Sequence, residues 1–494
     1  MKKYIITRLI KSVISIFVVV SIVIVMLYTL IPTSKLFQKD DAYRKLSGNA
    51  KITYQYNKLE ELDYLDFVNL NDMCIEFGGD YDACMITGTE ENISAIKSFE
   101  EKGYTSDIYK VEEGVPATNF AYRYFSPLEL LYQFYSGLLF FDTPNYVEDP
   151  NNPDLERGYS LGSTPSGSPA LLCSGCKYKY QVYVDGNFPF IHQNFFALDF
   201  GDSYPTNSGI NTLDVIGGGQ GAFVSSEQTF PTGLVQESPI NQLSCEYKHN
   251  LDHLDTKKFT DNYADCALEF DSPSMIETSY IINGIAVVIA YIIAVPFAVM
   301  AARKRGKFLD KFSVVYVNLL IALPSLAFIF IMKYFGTYFG LPDKFPQFGY
   351  FDFRSYVLPI IILALLSTPN IMVWLKRFMI DQSNADYVKF AKAKGLSNSE
   401  IYQKHIFKNA IIPVVNGIPA AIILAISGAV ITESVFAIPG MGKMLPDSIT
   451  AVNNNMIITI TFIFTSLSVL AIFLGDLLMT IVDPRIQLAK KENE

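Results

Sequence analysis

Apolar runs long enough to cross a bilayer cluster at the two ends of this chain and leave a mixed polar and apolar stretch between them. A helix needs about 20 mostly apolar residues to traverse ~30 Å of hydrocarbon. Six segments reach that length: Val13 to Ile31 near the start, then Ser279 to Ala302, Val314 to Met332, Tyr356 to Leu375, Pro413 to Ile431 and Met456 to Val482. Pro296, Pro324, Pro359, Pro369 and Pro419 fall inside them, which bundled membrane helices tolerate because neighbours re-satisfy the freed carbonyls. Between the first and second runs the period changes. YKYQVYV at Tyr178 to Val184 alternates like a strand, and PLELLYQFYSGLLFF at Pro127 to Phe141 has helical spacing. Leu161 to Pro169 and the GGGQG at Gly217 to Gly221 read as loops. Aromatics such as Tyr54, Phe67, Tyr122, Phe134, Tyr178 and Phe195 are dispersed through this stretch and can build a core. The pattern predicts an all-α polytopic membrane protein of six transmembrane helices with an inserted α+β domain. Its parts are 1–31, the N-terminus and first helix; 32–275, the insert; and 276–494, a five-helix core.

Charge gives this frame a direction. Half of the 494 residues are apolar and 18% are charged, so a wholly soluble or disordered chain is excluded. From Pro32 to Met275 there are 16 Lys+Arg against 36 Asp+Glu, a balance of -20; the remainder holds 23 against 13, a balance of +10. By the positive-inside rule, the N-terminus with Lys2, Lys3, Arg8 and Lys11, the cluster Arg303 to Lys311, the stretch Lys376 to Lys408 and the tail with Arg485, Lys490 and Lys491 belong in the cytoplasm. Alternation then puts the acidic insert and the 337–355 and 432–455 loops outside. The first run is long for a signal-peptide core and lacks a small-x-small cleavage site, so it reads as a retained anchor.

Cysteine placement bears on the same question. Cys74, Cys84, Cys173, Cys176, Cys245 and Cys266 all lie in the insert, and an even count in an exported segment reads as a disulfide framework. Six cysteines allow 15 connectivities, of which pairing neighbours closes the shortest loops. Cys245, His249 and His253 recur at intervals of four with Cys266 downstream, but in an oxidising compartment these thiols are expected to be bridged, and no metal site is assigned. No GxxxxGK[ST] phosphate loop and no credible Ser/His/Asp set occur, so the chain is read as non-catalytic, without a cofactor and without a nucleic-acid partner. Asp476 and Lys333 stand near span ends where they can snorkel, which argues against a secondary transporter; a membrane-anchored receptor would not need five further spans.

The most informative segment is ADYVKFAKAKGLSNSEIYQKHIFKNAIIPVV, Ala385 to Val415. Val388, Ala391 and Leu396 recur near helical spacing beside lysines, Gly395 interrupts, Ser397 or Asn398 can cap, and Ile401, His405 and Phe407 begin a second short helix. The segment resembles the EAA loop of ABC-importer permeases in its oligopeptide/dipeptide form, with Asp386, Tyr387, Val388, Ala391, Ala393, Lys394, Gly395, Leu396, His405, Asn409, Ala410, Ile412 and Pro413 matching. Lys389 and Lys408 depart from the broader consensus. KKYIITRLIKSV at the start, FGDSY at Phe200 to Tyr204 followed by TLDVI, TESVFAIPGMGKML at Thr432 to Leu445 and Asp483-Pro484-Arg485 also resemble that family, and the large insert is similar to the enlarged permeases of streptococcal-type oligopeptide systems.

The resemblance implies a type I ABC-importer permease of the cell membrane. It implies a second homologous permease, two cytoplasmic ATP-binding subunits docked on loop 385–413, an extracellular peptide-binding lipoprotein and surrounding membrane lipid as partners. It further implies an outer loop or gate with Glu433, Phe436, Pro439, Gly440 and Gly442. Asn318, Ser325, Asn370 and Asn416 are candidates for the pathway lining, with interhelical hydrogen bonding as the alternative for each. Dipeptide, glutathione and nickel importers share the pattern, so the cargo stays open among these and oligopeptides.

Overall fold

A computed structural model describes residues 2–110, 118–186 and 190–482. Asp483-Pro484-Arg485 and the basic tail lie outside the described residues. Among the described residues, five helices are long and apolar enough to cross a membrane: Ile6–Leu30, Met275–Arg303, Arg354–Ser383, Asn398–Leu424 and Asn454–Met479. A sixth crossing arises only if Phe308–Ala322 and Ser325–Tyr338, bent by 107° at their junction, count as one span.

The bend corrects the expected straight helix Val314 to Met332. Pro324 has no N–H to donate, and it forces Leu323 into an extended conformation, φ -75° and ψ 126°. Pro296, Pro359 and Pro369 are carried inside helices, whereas Pro419 sits in the first turn of Ile418–Leu424, where no N–H is needed. The fifth expected span, Pro413 to Ile431, is also displaced. Its helix starts at Asn398 and stops near Leu424, because a 3-10 turn follows and Gly428 takes φ 72°.

Two of the long core helices, Met275–Arg303 and Arg354–Ser383, pack through small residues. Ala286, Ala290, Ala294, Ala298 and Ala302 form a buried stripe on Met275–Arg303, which lets Arg354–Ser383 approach closely. Leu358, Ile362, Met372, Leu375 and Met379 fill the other side of that seam.

The insert is α+β. Leu65–Asn69, Thr105–Ile108 and Asn119–Tyr124 make a three-stranded antiparallel sheet with the last strand central. Glu90–Glu101 and Leu70–Phe77 cover it through Phe99, Ala95 and Met73. A four-stranded antiparallel meander follows: Gly158–Ser163, Pro169–Ser174, Tyr180–Val184 and Ile191–Gln193. The Leu161–Pro169 stretch is therefore not all loop, since its first three residues are strand and only 164–168 turn. Likewise Gly217 ends the helix Thr212–Gly217, and Gln220–Phe223 pairs with Phe270–Ser272. The helix expected over Pro127 to Phe141 ends at Gly137, and Leu139–Phe141 becomes a strand against Phe196–Leu198. Glycine is a poor helix former, and the LFF that follows suits a strand. Cys74–Cys84, Cys173–Cys176 and Cys245–Cys266 are bonded. His249 and His253 share no helical face with Cys245, because 245–253 is not helical; no metal-binding cluster exists among the described residues.

Candidate functional site

The first half of the 385–413 segment is the helix Asp386–Ala393. It stops in a Schellman arrangement: Gly395 N–H donates to Lys392 O at 3.0 Å and Leu396 N–H reaches back to Ala391 O at 3.3 Å. Gly395 is at φ +78°, and a Cβ built on it would meet nothing within 4 Å. Ser397 and Glu400 then form a complete capping box, Glu400 N–H to Ser397 Oγ at 3.3 Å and Ser397 N–H to Glu400 Oε2 at 3.1 Å. From there the chain runs nearly unbroken to Leu424, so the expected short second helix is continuous with the next span. Its stretch Ile401–Phe407, containing His405, is π-helical.

One face of this hairpin is rooted in the bundle. Val388, Ala391, Ile401, Ile406, Ala410 and Val414 pack with Ala294, Ala298, Ala302, Leu375 and Met379. Tyr387 is tied by its hydroxyl to Gln382 Oε1 at 2.7 Å, and Leu396, His405 and Asn409 are half-buried. The opposite face is open: Asp386, Lys389, Lys392, Ala393, Lys394, Gly395 and Pro413 are exposed. Phe390, which sequence reasoning passed over, is 70% exposed among those lysines. Its signal was an aromatic on the lysine face of DYVKFAKAKGL.

At the insert end of the bundle Glu433 is held in a cradle. Its carboxylate accepts from Ser279 Oγ at 2.8 Å, from Ala429 N–H at 3.1 Å and from Lys443 N–H at 2.8 Å. Ser279 Oγ in turn accepts from Met441 N–H at 2.8 Å. The helix Met441–Ala451 begins at Gly440, which has no side chain to cap it; Glu433 and Ser279 supply the cap from two other elements. Burial pushes the Glu433 carboxyl up, and donation from Lys443, Ser279, Ala429 and Gly442 opposes that. Three glycines make the cradle. A Cβ on Gly428 would come to 2.2 Å from Glu433 Oε1, one on Gly440 to 2.4 Å from its Cδ, and one on Gly442 to 2.9 Å from Oε2. Phe436 is buried beside this loop, under Lys333, whose Nζ donates to Val435 O at 2.9 Å; Pro439 is half-buried. Lys333 is thus bound to the loop rather than snorkelling. Asp476 is likewise paired, with Arg8.

The other polar span residues divide. Asn318 lines a cavity of about 290 Å³ between Met275–Arg303, Phe308–Ala322 and Arg354–Ser383, with Lys376 and Arg377 at its rim. Ser325 and Asn370 are exposed on their helices. Asn416 instead packs on the last helix, where a Cβ on Gly475 would lie 3.1 Å from its carbonyl oxygen.

The insert is fastened to the frame by three consecutive asparagines that the sequence reading did not single out. Asn453 Nδ2 donates to Ser203 Oγ at 2.8 Å and Thr206 Oγ1 at 2.9 Å, Asn454 bonds the Tyr64 hydroxyl, and Asn455 Nδ2 donates to Asp202 O at 2.9 Å. Thr459 Oγ1 adds a bond to Thr212 Oγ1 at 2.9 Å. FGDSY and TLDVI therefore supply much of the contact between the insert and the last helix, together with Tyr64 and Thr206.

Comparison with known proteins bears on both ends of the molecule. Residues 294–488 match the family described as binding-protein-dependent transport system inner membrane component. The oligopeptide transport system permease protein AmiC of Streptococcus pneumoniae is 39% identical over 500 residues, covering 99% of each chain. The dipeptide transport system permease protein DppB of Bacillus subtilis is 34% identical over 208 residues, 42% of this chain and 66% of that one. Among solved structures, the inward-facing MetNI methionine ABC transporter aligns with 42% of this chain and 94% of its own at 16% identity and a TM-score of 0.35.

Proposed function

This chain belongs to the family of oligopeptide transport permeases, and from that premise we propose how its parts divide the work of an ATP-driven peptide importer. The chain forms the translocation pathway with a second, homologous permease. Two cytoplasmic ATP-binding subunits dock on the 385–413 hairpin, and an extracellular peptide-binding lipoprotein delivers the cargo. The polypeptide crosses the membrane six times, the bent pair counting as the third crossing. Both termini and the hairpin face the cytoplasm, and 32–275 lies outside.

The hairpin carries this reading. One face is packed into the bundle and the other presents Phe390, three lysines and an open space over Gly395. A partner backbone can enter that space, the aromatic can seat in its groove, and the lysines can steer the approach. Because the buried face is continuous with the core helices, movement of a bound ATPase is transmitted as movement of those helices. At the other end the Glu433 cradle joins the start of Met275–Arg303 to the loop 428–443, so displacement of that helix pulls on the outer loop. The acidic insert, above the outer mouth, is assigned to docking of the peptide-binding lipoprotein.

The test is to express this chain in cells that lack it but keep its partner genes, and to measure uptake of labelled oligopeptides and co-purification of the ATP-binding subunits with the chain. Restored uptake with ATPases bound is expected. A chain that inserts normally yet neither captures ATPases nor restores uptake overturns the reading.

A further inference from the structure

The insert reaches down along the first helix. Its helix Pro127–Gly137 packs on the first helix, Lys2–Leu30, well inside the apolar run of that helix: Leu131, Phe134, Tyr135 and Leu138 meet Ile16, Val20, Ile24 and Leu27. The Tyr135 hydroxyl donates to Phe17 O at 3.1 Å and bonds Ser21 Oγ at 2.9 Å, and its ring lies 4.6 Å from that of Phe17. At 1.5 Å per residue, Phe17 stands about 20 Å and Ser21 about 13 Å below the insert-side end of the helix at Leu30. The last helix gives a second gauge. Phe200 of the insert, in contact with Phe134, packs 5.0 Å from Phe462, which lies about 12 Å below Asn454. Against ~30 Å of hydrocarbon, about 15 Å per leaflet, Ser21 and Phe462 fall within the leaflet nearest the insert and Phe17 lies just past the midplane.

The chemistry of this segment suits that depth. Between Pro127 and Phe141 the single ionisable carboxylate is Glu129, at the helix start, paired with Arg123 at 2.8 Å. Beyond the helix, Leu139, Phe140 and Phe141 pair with Leu198, Ala197 and Phe196 in a two-stranded ladder, flanked by Asp199 N–H donating to Leu138 O at 2.9 Å and Asp142 N–H to Phe195 O at 3.0 Å. The outward side of the segment is apolar and uncovered. Leu128 is 79% and Tyr132 75% exposed, and Leu139 and Phe141 are also exposed. This stripe adjoins the exposed residues Val13, Ile14, Phe17 and Val18 of the first helix, a face that a membrane-spanning helix presents to lipid.

We infer that Pro127–Phe141 is an interfacial wedge, sunk into the acyl chains of the insert-side leaflet with Leu128, Tyr132, Leu139 and Phe141 against lipid. The wedge anchors the insert to the bilayer beside the first helix, where an amphipathic helix with an aromatic edge is stable. The inference rests on the proposal above only for which leaflet this is.

The test uses tryptophan fluorescence of the full chain with its partner subunits in lipid nanodiscs. Trp374 is the single tryptophan of this chain, so the complex carrying Trp374→Phe gives the background to subtract from that of Tyr132→Trp, Leu139→Trp and, as an aqueous reference on the four-stranded sheet, Leu161→Trp, each made in Trp374→Phe. Nitroxide-labelled phosphatidylcholine should quench positions 132 and 139 at least about threefold more than position 161, and aqueous iodide should show the reverse order. Quenching at 132 and 139 by iodide but not by labelled lipid overturns the wedge. Protection from both quenchers also overturns it, since a second permease would then cover the face. Labelling of Ser166→Cys in intact cells with an impermeant maleimide reports separately which side the insert occupies; failure there reverses the orientation and leaves the depth result standing.

Discussion

Glu433 shows how much one side chain can organise when its surroundings have no side chains of their own. Gly428, Gly440 and Gly442 leave the volume that its carboxylate fills, and its oxygens satisfy helix-start N–H groups that would otherwise be orphaned. Glu433→Gln keeps the shape but turns an amide NH2 toward donors. It should lower thermal stability by about 1–3 kcal/mol and reduce peptide uptake, and Ser279→Ala should do so to a smaller degree. Unfolding of the purified protein followed by near-ultraviolet circular dichroism, beside peptide uptake, checks both. In the insert, Asp40 caps the helix Asp41–Lys45 and accepts from the hydroxyls of Tyr54 at 2.8 Å and Tyr204 at 2.5 Å. Burial alone pushes its carboxyl up. The bonds from Tyr204, Tyr43 N–H, Tyr54 and Ala42 N–H outweigh that and hold it below the ordinary aspartate value. A depressed folded pKa means that its stabilisation is complete above the unfolded value of about 3.9 and is lost as pH falls through the folded one. Asp40→Asn should therefore lower the melting temperature at neutral pH and flatten its fall on acidification. An acid limb identical to wild type would remove Asp40 from the acid response.

Among the elements, the 385–413 hairpin has one face packed into the bundle and one face open, and the coupling role proposed for it can be tested at the turn. Gly395 occupies a left-handed conformation, so any side chain there adds backbone strain of about 1–3 kcal/mol as well as bulk in the open space. Gly395→Asp is expected to insert and accumulate normally while uptake falls to near zero and ATPase capture weakens. Lys392→Ala removes one exposed, screened charge and should have a much smaller effect. Wild-type uptake by Gly395→Asp with ATPases still bound would show that the coupling element lies elsewhere. The second half of this hairpin is continuous with the span ending near Leu424, which carries Asn416 where the helix packs on Gly475.

For the molecule as a whole, the insert and frame act as one body through Asn453, Asn454 and Asn455. Asn453 is fully buried and Asn454 nearly so, and a buried amide stripped of its partners costs about 1–3 kcal/mol. The double variant Asn453→Ala, Asn454→Ala should lower the melting temperature and expose the insert to limited proteolysis near Ser203–Thr206, with the three disulfides intact. Proteolysis at the wild-type rate would mean that the Phe200–Phe462 contact and the Pro127–Gly137 helix hold the insert by themselves.

Much of this was legible in residue order because it depends on local quantities. Span length, charge asymmetry and confinement of the cysteines to one acidic stretch are sums over neighbours, and the DYVKFAKAKGL turn is a local capping pattern; together they delimit the insert and identify the 385–413 hairpin. Tertiary structure decided what depends on distant partners. Pro324 broke its helix while Pro359 did not, although both sit in apolar runs, because accommodation of a proline depends on what packs against the freed carbonyls. Glu433 is separated from Ser279 by 154 positions, and the Asn453–Asn455 triplet reads as an ordinary polar turn until Ser203, Tyr64 and Asp202 are brought to it. Nor could the helical spacing of PLELLYQFYSGLLFF reveal that it rests against Phe17 and Ser21, since a periodicity specifies an apolar face and only packing determines what covers it.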